Sequence, residues 1–177
     1  MTLLRCQRRA FGLMVRTMSR TKWDKAALES AKINSADSEF MADIGLKGLD
    51  SNELAYAPQD LAAVVPGTDC HRIGAMTLGE VPLYVRESIA GVWTIDETQG
   101  RPVLVNSSAR TFSLFVVLWQ KYLCDFTQHV PQRYQERFLR VIQDSMKELD
   151  SAAFYSESHW SFFMEHLCDL HPHVDRE

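Results

Sequence analysis

The sequence predicts an α+β domain, with a small antiparallel sheet flanked by N-terminal and C-terminal helices. Two observations carry this prediction. Helix formers dominate near residue 30, a period-two stretch and β-rich runs fill Val81–Asn106, and hydrophobic spacing is helical after Asn106. Nothing in the chain repeats the strand–helix–strand alternation of parallel nucleotide-binding sheets.

Taken in order, WDKAALESAKI (Trp23–Ile33) is rich in helix formers and has Asp24 near its start. A second helix is expected from Asp37 to Ile44, with Gly45 as its stop. The following GLKGLDSNELAYAPQDL reads as loop because of Gly48, Pro58 and its cap-type residues. Val81, Leu83 and Val85 alternate with Pro82, Tyr84 and Arg86, as in a strand with one buried face. Ile89–Asp96 and Pro102–Asn106 are two further β-rich runs, and Gly100 suits a turn joining them as an antiparallel hairpin. Ile73, Ala75 and Leu78 suggest an earlier strand, which makes three or four strands in all.

Three helices are expected after the strands. Asn106 or Ser107 is expected to cap the first, whose Phe112, Phe115, Val116, Trp119, Tyr122, Leu123 and Phe126 recur at helical spacing. Leu114, Val117 and Leu118 carry apolar character around the rest of this cylinder, so it is expected to be the most buried helix. Pro131 suits the first turn of the second helix, with apolar positions Tyr134, Phe138, Val141, Ile142, Met146 and Leu149. Trp160, Phe163, Met164, Leu167 and Leu170 form one face of the third, which Pro172 ends.

The net charge of −4 combines two unlike parts. Residues 1–25 hold seven of the 19 bases and one acid, leaving 12 bases and 22 acids for residues 26–177. Met1–Thr21 is therefore read as a basic leader, either transit-like or a mis-annotated start, and residues 22–177 as a single domain. An acidic domain is a poor direct ligand for nucleic acid but suits a basic protein partner. No run reaches the roughly 18 apolar residues of a membrane-spanning helix. Cys6, Cys70, Cys124 and Cys168 lie 44 to 64 residues apart, as expected of reduced thiols in the cytoplasm rather than a zinc site or disulfide scaffold.

Motifs for chemistry are missing from the sequence. It has no GxGxxG, GxxxxGK[ST], GxSxG or HExxH. Asp69, Cys70 and His71 are adjacent and read as a loop before a strand, because catalytic groups normally meet through folding. His159, His166, His171 and His173 lack the carboxylate–histidine spacing of a helical metal site. Asp96 and Glu97 read as turn residues at a hairpin end. No catalytic residue, cofactor or metal is expected.

The run GVWTID, a short polar turn and then LVNSSARTFSLFVVLWQKY resembles the signature of bacterial SUKH-superfamily immunity proteins, in particular the fourth subfamily. The matching residues are Gly91, Val92, Ile95, Asp96, Asn106, Ser107, Ser108 and Phe112. LDSAAF followed by Trp160 resembles the family's D-P-x-A-L and closing tryptophan, with Ser151 and Phe154 in place of the proline and leucine. The resemblance spans residues 35–170, and its motifs mark a fold, so function follows from it by analogy.

The resemblance implies a SUKH-like fold and a non-enzymatic immunity protein that binds a cognate polymorphic toxin, often a nuclease or deaminase, in the producing cell. A basic toxin domain would meet the acidic excess, for which Asp37, Glu39, Asp43, Asp50, Glu53 and Asp60 are the candidate surface. An intracellular scaffold or regulatory adaptor of the same fold is the alternative.

Overall fold

A computed structural model describes residues 16–50, 56–59, 61, 65–76, 81–96, 99–129, 134–155 and 158–161. Among these residues, seven strands form one sheet in strict chain order, every neighbouring pair antiparallel. They are β1 (Arg16–Thr21), β2 (Leu46–Asp50), β3 (Tyr56–Pro58), β4 (Cys70–Met76), β5 (Val81–Arg86), β6 (Ile89–Asp96) and β7 (Arg101–Asn106). Helices α1 (Lys25–Ser30) and α2 (Ser35–Asp43) are inserted between β1 and β2. After β7 come α3 (Ala109–His129), α4 (Gln135–Leu149) and a 3-10 turn, Ser151–Phe154. The class is α+β, as predicted.

The sheet is wider than expected, and the expected leader is partly inside it. Arg16–Thr21 pairs with β2, so the last six residues of the segment read as leader form a strand of the sheet. The segment read as loop supplies β2 and β3. Strands of five and three residues offer too few positions for period two to register, and their pairing comes from neighbours distant in sequence. Gly45 makes the turn into β2 possible: its φ is +77°, and a Cβ there would collide with the Thr21 carbonyl oxygen.

Leu83, Val85, Val92 and Val105 belong to the same buried cluster as Phe112, Phe115, Val116 and Trp119 of α3. Leu139, Ile142 and Met146 of α4 complete that layer at helical spacing. Phe112 meets Tyr56 edge-on at 5.0 Å between centroids, and Phe115 meets Trp160 at 5.3 Å. Two expectations change here. Val141 and Leu149, expected inside, are exposed, and so are Leu114 and Val117 of α3. Leu78, Pro131, Phe163, Met164, Leu167, Leu170 and Pro172 lie outside the described residues.

The register also joins Arg72, Tyr84, Trp93 and Leu104 in one row across β4 to β7, on the face opposite Leu83, Val85 and Val92. There Arg86 lies 4.9 Å from the Trp93 ring centroid and holds both carboxylate oxygens of Asp69 at 2.9 Å. This hydrogen-bonded pair lowers the Asp69 pKa below the usual carboxylate range.

Candidate partner-binding surface

Helix α2, SADSEFMAD, carries three carboxylates and no base. Asn34 caps it reciprocally: its Oδ1 accepts from the Asp37 N–H at 3.1 Å, and its Nδ2 donates to Asp37 Oδ2 at 2.7 Å. Asp37 is not a surface acid. It is 1% exposed, and its carboxylate accepts two further backbone bonds, from Gly91 at 2.8 Å and Ala109 at 2.7 Å. One side chain therefore ties the first turn of α2 to the start of β6 and the N-terminus of α3.

Its burial corrects the expectation that Asp37 faces a partner. Glu39 and Asp43, by contrast, are exposed. At 100° per residue they fall on the side of α2 opposite Asp37, so the buried acid fixes the helix that presents the two exposed ones. Asp50 lies in β2, in register with Arg16. Glu53 and Asp60 are outside the described residues.

Most of the residues that carry the resemblance gather at the start of α3, while Ile95 and Asp96 lie at the far end of the β6–β7 hairpin. Gly91 has φ +115°, and a Cβ at this position would approach the Asn106 carbonyl oxygen to 2.6 Å, so only glycine fits. Val92 pairs with Asn106 while Trp93 pairs with Leu104, which leaves Val105 as the extra residue of a bulge in β7. Ile95 pairs with Pro102. Asp96 is a turn residue, as expected, its Oδ1 accepting from Gln99 and its carbonyl from Gly100.

Asn106 and Ser107 do not cap α3 with their side chains. Asn106 is fully buried, donating to Asp150 Oδ2 at 3.0 Å and accepting from Trp160 Nε1 at 2.9 Å. The Ser107 N–H also donates to Asp150 Oδ2, at 2.8 Å. The cap is Ser108, whose Oγ accepts from the Thr111 N–H at 3.0 Å while Thr111 Oγ1 accepts from the Ser108 N–H at 3.2 Å. Asp37 and Ser108 thus take the N–H groups of residues 109 and 111, which a helix start leaves without intrahelical acceptors, and Asp150 takes that of Ser107 just before the cap.

The roles of Asp37 and Asp150 are absent from the sequence reading. Asn34-x-x-Asp37 is a capping-box spacing and was the available signal for Asp37 as a local structural acid. Nothing local marks its contact with Ala109, 72 residues on.

Other chemistry finds no assembly. Asp69 is taken up by Arg86, and Cys70 is a buried free thiol whose pKa burial pushes up. Among the described residues, no group of three His, Cys, Asp or Glu could hold a metal ion, and no helix is long and apolar enough to cross a membrane.

The family model of the SUKH-4 immunity protein matches residues 21–166, most of the 177-residue chain. The chain belongs to the SUKH-4 immunity protein family. The matched range starts at the last residue of β1 and contains α1, α2, the other six strands, α3, α4 and the buried corner around Asn106. No curated protein and no solved structure matches the chain. In this SUKH-4 member most of the motif residues build the strand-to-helix corner at Asn106.

Proposed function

We propose that this chain is a cytoplasmic immunity protein that binds a cognate polymorphic toxin and neutralises it by steric and electrostatic blockade, without catalysis. Membership of the SUKH-4 immunity protein family carries this reading. The toxin domain is basic, a nuclease or a deaminase, and it meets the acidic face of α2 at Glu39 and Asp43. Nuclease and deaminase domains that handle nucleic acid concentrate positive charge around their sites, and an acidic inhibitor competes for that charge. Complementary charge also speeds capture of the toxin.

The test is co-expression with the C-terminal domain of a candidate polymorphic toxin. Cells are expected to survive, and the two chains to co-elute on size exclusion. Glu39→Lys with Asp43→Lys is expected to slow association and to make the remaining binding less sensitive to salt. Death of co-expressing cells together with separate elution would overturn the reading for that toxin.

A further inference from the structure

Helix α3 is apolar around most of its circumference, yet among the described residues only one side of it is buried. Ala109, Phe112, Phe115, Val116 and Trp119 are buried, whereas Leu114 and Val117 are each 39% exposed. Arg110 and Lys121 are exposed as well. Angular spacing of 100° per residue puts Arg110, Leu114, Val117 and Lys121 within about 60° of one another, directly opposite the buried side. The result is a stripe with two aliphatic residues at its centre and a cation at each end. At 1.5 Å per residue the cations stand about 16 Å apart along the axis.

This arrangement selects its partner. A second copy packed antiparallel on the stripe would bring Arg110 of one helix towards Lys121 of the other, and like charges facing each other are unfavourable. Basic helices are disfavoured for the same reason. We infer that the outer face of α3 is a second docking surface, distinct from the acidic face of α2, for a partner helix with apolar residues at its centre and an acid at each end. The apolar centre supplies the desolvated contact and the flanking charges fix the register.

Two constrained helical peptides test this on the full chain. Both carry a leucine pair spaced three apart; one has glutamates flanking it across an 11-residue span, and the other has lysines there. Fluorescence anisotropy is expected to show the glutamate peptide binding at least about tenfold more tightly than the lysine peptide, a difference that added salt reduces. Leu114→Asp and Val117→Asp are solvent-face changes and are expected to abolish binding with the circular dichroism unchanged. Arg110→Glu with Lys121→Glu should invert the preference towards the lysine peptide, which a general loss of folding would not do. Equal binding of the two peptides, binding indifferent to Leu114→Asp, or no binding of either overturns the inference. So does a concentration-dependent dimer that Leu114→Asp dissociates, because it would give the face to a second copy. None of these readouts depends on the toxin, so failure here and failure of the immunity reading are separable.

Discussion

The carboxylate of Asp37 accepts the backbone N–H of Ala109 at 2.7 Å, across 72 residues of sequence. With Gly91 and Asn34 bonded to its other oxygen, this buried group holds three elements in one arrangement. Asp37→Ala leaves the Gly91 and Ala109 donors without their acceptor, and is expected to destabilise the fold by about 3 kcal/mol or more. Asp37→Asn keeps one acceptor and should lose less. Urea unfolding of both variants measures this; a loss below about 1 kcal/mol for the alanine variant would show that the corner does not depend on the carboxylate.

Gly91 and Gly67 separate strain from crowding. Both have positive φ, but a Cβ at Gly91 meets the Asn106 carbonyl oxygen at 2.6 Å, while one at Gly67 has nothing within 4 Å. Gly67→Ala is therefore expected to cost about 1 kcal/mol from backbone conformation alone. Gly91→Ala adds a backbone clash at the bulge and is expected to cost at least about 3 kcal/mol. Thermal unfolding compares them, and similar losses at the two sites would refute the close approach at Gly91.

Tyr56 makes the opposite prediction. It is fully buried, edge-on to Phe112, and its hydroxyl has no hydrogen-bond partner among the described residues. Burial alone raises its pKa far above the usual phenol value. Removing an unsatisfied buried hydroxyl removes its desolvation penalty, so Tyr56→Phe is expected to be neutral or stabilising by up to about 1 kcal/mol. A clear loss of stability in chemical denaturation would reveal a polar role for the hydroxyl.

His159 gives the fold an acid sensitivity. Its ring is edge-on to Trp160, and burial lowers its pKa from the ordinary 6.5 to about 4. The folded state thus favours the neutral imidazole. As pH falls below about 6.5, the unfolded chain takes up a proton that the folded chain does not, and stability declines until pH is near 4. Unfolding free energies measured from pH 7 to 4 are expected to slope less steeply in His159→Gln; identical slopes would remove His159 as the source.

The legible parts of this protein were those where local pattern and tertiary burial agree. Ile89–Asp96 and Arg101–Asn106 form the expected antiparallel hairpin, and Phe112, Phe115, Val116 and Trp119 face the core as their spacing requires. Asp24 caps α1 and Gly45 ends α2, because capping and left-handed turns are decided within a few residues. Tertiary contact decided the rest. It made strands of Leu46–Asp50 and Tyr56–Pro58, took Arg16–Thr21 out of the expected leader, and turned Asn106 from a cap into a buried bridge between Asp150 and Trp160.

Charge shows the division most clearly. By itself, the sequence determined that residues beyond the basic N-terminal stretch are acidic, that the class is α+β and that the motif resembles one immunity family. It did not sort the acids: the Asn34-x-x-Asp37 spacing marks Asp37 as a capping partner, but nothing in the sequence marks the distant donors that bury it. Only the fold brings the Gly91 and Ala109 N–H groups to Asp37 and leaves Glu39 and Asp43 facing solvent. A carboxylate is buried where enough donors surround it to replace water, and those donors come from parts of the chain that meet only on folding.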